Sequence, residues 1–246
     1  MGANVLYRRD IISDDRSILL PSIAGVSQFS AVDYPGHLCA VIYTQGWPCR
    51  CRYCHNPNLQ RGGPGSSIVS WSMVMEWLAT RSGLLDAVAF CGGEPTVHKS
   101  LLLAIKQVKA LGFNVALHTS GLYPHNFAKV LPLLDWVGFD IKSPFAHYPD
   151  VTGVPGSGGK VKESLERMLS SNISYELRTT VHNAILSSAD LVMMARELQI
   201  LGVSRWVLQR FNKAGCADLE LVASHTAIDG DLVDRLRVYI PNILVR

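Results

Sequence analysis

No apolar run in this 246-residue chain approaches the roughly 18 residues that a membrane-spanning helix requires, so no membrane partner is expected. The first seventeen residues, MGANVLYRRDIISDDRS, lack the apolar stretch of a secretory leader, and no such signal is expected. Leu6 stands where a myristoylation signal wants Ser or Thr. Charge of either sign is also scarce. Lys and Arg number 23 against 20 Asp and Glu, a net +3, too weak a basic excess to argue for nucleic acid. Arg50, Arg52, Arg61 and Lys99 are not interleaved with stacking aromatics in a repeated pattern, so they read as solvated or partner-facing. There is no internal repeat and no low-complexity tract. Apolar residues reach 48% and charged ones only 17%, which excludes a disordered chain and leaves a core-forming, cytoplasmic enzyme as the expectation.

Cysteines are few but unevenly placed, at 39, 49, 51, 54, 91 and 216. A chain of this size and apolar content needs no disulfide staples. Clustered thiols in a reducing compartment point instead to a metal or an iron–sulfur cluster. Cys49, Cys51 and Cys54 are the candidate ligands. Cys39 lies in the apolar run LCAVIY and reads as a small buried hydrophobe, as does Cys216, while Cys91 reads as a buried strand-end residue.

Short β-type runs alternate with stretches of helical period, the pattern of a parallel α/β sheet. Strands are expected at 38–44, 87–91, 114–118, 136–141, 175–181 and 206–209, with a short last one at 243–245. Helices are expected near 72–80, 100–111, 125–131, 161–169, 190–201 and 231–238. The helix near 100 carries Leu101, Leu102, Ile105, Val108 and Leu111 close to the spacing of one buried face. Six strand–helix units are fewer than the eight of a closed barrel, so the expected fold is an incomplete (β/α)6 TIM-like barrel. No composition shift marks a boundary, so residues 1–246 are expected to form one domain, with 1–22 as an N-terminal extension. In such folds ligands bind at the C-terminal ends of the strands. The cysteine loop, Gly92–Glu94, Thr119–Gly121 and Lys142 each follow a strand. Gly-Val-Pro-Gly-Ser-Gly-Gly-Lys at 153–160 looks like a phosphate loop, but its spacing is wrong and Val161 replaces the Ser or Thr, so a flexible loop is expected there.

Three motifs carry a resemblance. Thr44-Gln-Gly-Trp-Pro-Cys-Arg-Cys-Arg-Tyr-Cys-His-Asn-Pro57, Asp33-Tyr-Pro-Gly36 upstream and Gly92-Gly-Glu-Pro95 downstream together resemble the radical S-adenosylmethionine superfamily. The nearer match is to activating enzymes of glycyl radical enzymes, and within them to those of anaerobic ribonucleoside-triphosphate reductase. The family holds three irons of a [4Fe–4S] cluster with Cys-x3-Cys-x2-Cys. Here Cys51 and Cys54 match the last two positions, but the first is Trp47, and Cys49 lies two residues on. The thiol count is kept while the spacing is not. Alternate residues of an extended chain point to opposite sides, so Cys49 and Cys51 converge only if the loop bends, which Pro48 could favour. A three-thiol cluster, a distorted or lost cluster, and a plain zinc site all stay open at this point.

The resemblance implies S-adenosyl-L-methionine as the second cofactor. It places Glu94, with Gly92 and Gly93, at the methionine ammonium, and Asp140 and Lys142 at the methionine end. Tyr53 and His55 would lie near the adenine. Thr119 and Ser120 offer hydroxyls for a ribose or carboxylate. Arg178 has the fork suited to a carboxylate, or pairs structurally with Asp140. The expected reaction installs a glycyl radical on a larger protein. The expected partners are anaerobic ribonucleoside-triphosphate reductase and a low-potential donor such as flavodoxin or ferredoxin. Two rivals are a small-molecule radical enzyme of the deazaguanine-forming type and a non-catalytic relative that only binds the partner.

Overall fold

The computed structural model describes residues 20–54, 59, 69–224 and 226–246. The chain divides into two compact units. The first comprises Met1–Trp47, Asn58–Thr119 and His125–Val137; the second comprises Pro48–Pro57, Ser120–Pro124 and Gly138–Arg246.

In the first unit, β1 (Ile23–Ser30) runs antiparallel to β2 (Cys39–Thr44). Two parallel neighbours follow, β3 (Ala87–Gly92) and β4 (Asn114–Thr119). The register Cys39↔Ala87 through Thr44↔Gly92 brings the C-terminal ends of β2 and β3 level. Strands β2 to β4 occupy the expected positions, because their Val, Ile, Phe and Ala runs are buried nearly throughout. Strand β1 was not expected. Its IAGVSQFS sequence has no clean alternation, and its pairing slips twice, between Ile23 and Gly25 and between Ser27 and Ser30. Helix α1 (Trp71–Ala79) starts at Ser70, whose hydroxyl accepts from the Met73 amide. Helix α2 (Leu101–Ala110) buries Leu101, Ala104, Ile105 and Val108. Ala104 takes the place expected of Leu102 on that face, as the i, i+3, i+4, i+7 geometry requires. Helix α3 (Pro124–Val130) follows, its first residue lying in the second unit.

Strand β5 (Trp136–Asp140) continues from the first unit's last residues into the second. Beyond it the second unit builds β6 (Ser174–Val181), β7 (Arg205–Arg210) and β8 (Asn242–Val245), paired in parallel in that order. Its helices are α4 (Tyr148–Thr152), α5 (Ser157–Leu169), α6 (Ser188–Ile200), α7 (Leu219–Ala223) and α8 (Gly230–Arg237). Helix α6 begins with a full capping box between Ser187 and Asp190. The glycine-rich 153–160 segment is not a loop throughout: Ser157–Lys160 form the first turn of α5. Gly158 permits this, since a Cβ there would lie 1.9 Å from the Phe145 carbonyl oxygen. Among the described residues, no helix is long and apolar enough to cross a membrane.

Candidate functional site

The candidate residues fall into two sets, one in each unit. In the first unit, β3 ends on Cys91-Gly92-Gly93-Glu94. Gly92 adopts φ +99°, and a Cβ on it would lie 2.6 Å from the Thr44 amide nitrogen. A Cβ on Gly93 would lie 2.1 Å from the Gly46 carbonyl oxygen. The two glycines therefore let the loop after β3 lie against the backbone that follows β2. Two hydrogen bonds record the contact, Gly93 N to Thr44 O and Glu94 N to Gly46 O, both 2.8 Å. This backbone packing is a role that motif reading alone did not anticipate.

Glu94 is 0% exposed, which removes the bland reading of a solvated turn residue. Its Oε1 accepts from the Thr96 amide at 3.2 Å, the Thr96 hydroxyl at 2.6 Å and the Thr119 hydroxyl at 2.6 Å. A buried carboxylate needs such donors to offset its lost hydration. Two of the expected residues, Glu94 and Thr119, are thus joined directly. Thr96 was missed, although Glu-Pro-Thr is legible as a capping carboxylate followed by proline at the first position of a helical turn, here Pro95–Val97. Beside this loop His98 directs Nε2 to the Gln45 carbonyl oxygen at 2.8 Å, and burial holds its imidazole below the usual value.

The second set centres on the cysteine loop. Cys49 and Cys51 are buried, Cys54 half-buried. The Arg50 amide donates to the Thr152 carbonyl at 2.9 Å, tying the loop to α4, and the Cys54 amide donates to the Cys51 carbonyl at 3.1 Å. Cys49 lies near enough to Cys51 to be the largest influence on its thiol. The influence of Cys49, opposed by burial and assisted by Lys142 and Tyr53, brings the Cys51 thiol down to about 7. Lys142 Nζ sits 5.7 Å from the centre of the Tyr53 ring and 3.9 Å from Asp140 Oδ2. Burial works against the Lys142 ammonium, but Asp140, Cys51 and Cys49 outweigh it and raise its pKa. Burial, then Cys51 and Asp140, push the Tyr53 phenol well up.

Arg178 reaches from β6 to Asp140 at the end of β5, with Nε and Nη2 both 2.9 Å from Oδ1. The guanidinium lies where a Cβ on Gly138 would be, 2.9–3.0 Å away, so only glycine at 138 admits this pairing without displacement. Asp140, Arg178 and Lys142 form one charged group, and Ser120 is also buried. The Lys142 amide donates to the Tyr148 hydroxyl at 2.9 Å, a support no motif announced. His55 lies outside the described residues.

Arg52, between the second and third cysteines, points away to Asp218 at 2.6 Å and Glu220 at 2.8 Å. Cys216, read from the sequence as an isolated hydrophobe, is instead half-buried against this loop, its sulfur 3.4 Å from the Arg52 carbonyl oxygen. Sequence spacing of 164 residues hid that neighbour.

The donor set fits an iron–sulfur cluster. It offers three soft thiols in six residues, one of them readily ionised, with a buried ammonium beside them.

Comparison with known proteins agrees with this chemistry. A Methanocaldococcus jannaschii protein, provisionally named a glycyl-radical enzyme activating enzyme, is 25% identical over 240 residues, covering 91% of this chain and 95% of its own. A pyruvate formate-lyase-activating enzyme of Clostridium pasteurianum is 27% identical over 175 residues, covering 69% and 70%. Among solved structures, Streptococcus suis SuiB bound to S-adenosylmethionine superposes with a TM-score of 0.60 at 12% identity. It covers 84% of this chain, which spans about half (49%) of that one. The likeness shows the fold, a mostly parallel α/β sheet of the incomplete-barrel type, as expected from the strand pattern. The Radical SAM superfamily profile matches residues 41–187, from β2 to the residue before α6. The chain belongs to the radical SAM superfamily, enzymes of radical chemistry that use a [4Fe–4S] cluster with S-adenosylmethionine.

Proposed function

We propose that this protein activates a glycyl radical enzyme, and that its partner is the anaerobic ribonucleoside-triphosphate reductase. The observation that carries the reading is the likeness to a glycyl-radical enzyme activating enzyme over 91% of this chain, together with three cysteines kept within six residues despite Trp47. The end-to-end likeness to activating enzymes and the Cys54-His-Asn-Pro57 run support the class of substrate. The Cys54-His-Asn-Pro57 run also argues against a small-molecule radical enzyme.

Cys49, Cys51 and Cys54 hold the cluster. When bound, the cluster with S-adenosylmethionine supplies one-electron reductive cleavage and abstraction of a hydrogen atom from a glycine C–H. Lys142 offsets the negative charge gathered by the thiolates, and its pairing with Asp140 keeps it protonated. Glu94, oriented by Thr96 and Thr119, receives the methionine ammonium. Arg178 and Lys142 supply positive charge for its carboxylate, while Asp140 sets their positions. The family resemblance assigns Tyr53 and His55 to the adenine, and Ser120 would add a hydroxyl. The electron comes from flavodoxin or ferredoxin in the cytoplasm.

Trp47 favours a second reading, in which the loop holds an altered cluster and the protein binds its partner without making radicals. Iron and sulfide analysis of the anaerobically reconstituted protein separates the two. So does calorimetric titration with S-adenosylmethionine. Glu94→Gln removes a charge-assisted bond in a desolvated site, about 1.5–3 kcal/mol, and should weaken binding roughly 10- to 150-fold. Unchanged affinity would remove Glu94 from the pocket. A glycyl radical signal on the reductase after mixing with reductant and S-adenosylmethionine supports the partner; full cofactor cleavage without that signal overturns it.

A further inference from the structure

We propose that Asp33, Cys91 and His118 form a second metal site, for a zinc-type divalent cation, within the first unit and using none of the cysteine loop's thiols. Asp33 belongs to the turn between β1 and β2, Cys91 to β3 and His118 to β4. These three segments bring one carboxylate oxygen, one sulfur and one ring nitrogen within 4.8 Å of one another. On a tetrahedral zinc with bonds of about 2.0–2.3 Å, ligand atoms sit about 3.5 Å apart. Closing the remaining gap requires the His118 ring to give up its 2.7 Å contact with the Asp33 carbonyl oxygen or to present its other nitrogen.

Strand register explains why the donors meet. Ala87 pairs with Asn114 and Ala89 with Ala116, so Cys91 and His118 come next on the same face. Beneath them that face is small and apolar, with Ala87, Ala89 and Ala116 in one buried cluster that also holds Tyr34 and Trp136. Tyr34 stacks on Trp136 at 5.7 Å and anchors the turn that carries Asp33. Trp136 in turn meets the His118 ring edge-on at 5.4 Å. The Ser30 hydroxyl donates to Asp33 Oδ2 at 2.6 Å, which orients the carboxylate. His118 Nε2 lies 2.7 Å from the Asp33 carbonyl oxygen and 3.8 Å from its Oδ1.

The donor chemistry names the ion. One carboxylate, one thiolate and one imidazole are the ligand types of zinc and cobalt, whereas magnesium and calcium take oxygen. Carboxylate and thiolate together match the charge of a dication at the rim of an apolar cluster, and three protein ligands leave the fourth position open.

Cobalt(II) tests this in the full-length chain carrying Cys49→Ala, Cys51→Ala and Cys54→Ala, which silences the cysteine loop. The expected result is uptake of one cobalt per chain with a sulfur-to-metal absorption band, displaced by zinc(II). Adding Cys91→Ser should abolish the band, and His118→Gln should weaken binding about tenfold or more. In the cluster-loaded wild type, one zinc should bind alongside the iron. No uptake at micromolar cobalt, or the same band after Cys91→Ser, would overturn the site; neither result bears on the cysteine loop or on activation.

Discussion

Replacing Gly93 by Ala should unseat the loop that carries Glu94. The added Cβ would lie 2.1 Å from the Gly46 carbonyl oxygen and 2.8 Å from its carbon. Both are backbone atoms, so no side-chain rotation relieves the overlap. Two hydrogen bonds span this seam, Gly93 N to Thr44 O and Glu94 N to Gly46 O. At about 0.5–1.5 kcal/mol each, lengthening both costs about 1–3 kcal/mol. Overpacking adds about 1–3 kcal/mol, for a total of about 2–6 kcal/mol. Against a folding stability of about 5–15 kcal/mol, that is a large loss. Urea unfolding followed by circular dichroism should show a midpoint lowered by about 1 M or more, with m near 2 kcal/mol/M. Wild-type stability in Gly93→Ala would refute the claim that these glycines exist for backbone packing.

Two adjacent glycines of α5 should respond with opposite sign. Gly159→Ala meets nothing within 4 Å and should stabilise the helix by up to about 1 kcal/mol, whereas Gly158→Ala meets the Phe145 carbonyl and should destabilise by several times that; thermal melts decide. Asp140→Asn leaves the side chains of Arg178 and Lys142, 11% and 10% exposed, without their carboxylate. It should cost about 2–4 kcal/mol, below the range for a fully buried pair because Asp140 is itself 36% exposed; a urea midpoint equal to wild type would show that the group is not held by that charge. Trp47→Cys, leaving buried Cys49 in place, should raise iron and sulfide per chain after reconstitution; an unchanged content would mean that the loop is adapted to its own spacing.

Strands β2 to β8 and the longer helices were legible because each declares itself locally, while the five-residue helices α4 and α7 were not expected. Runs such as AVAF in β3 are buried wherever they pair, whereas the helix expected from 190 starts two residues earlier, behind the Ser187–Asp190 capping box. The cysteine loop and Gly-Gly-Glu-Pro were legible for a related reason, since their chemistry is concentrated in a few consecutive residues. Strand β1 escaped because an irregular edge strand carries no strong period, and the first turn of α5 escaped because Gly158 and Gly159 read as loop while serving a helix. What sequence could not say is which distant groups share a space. That Glu94 is held by Thr119 and that Cys216 rests on Arg52 depend on a fold that joins residues 25 and 164 apart, whereas the Arg178–Asp140 pair was one of two readings the sequence left open and needed the bare Cα of Gly138 to form. Side-chain chemistry is written along the chain, but the pairing of charges and the room left by a missing Cβ come into being only when strands are laid side by side.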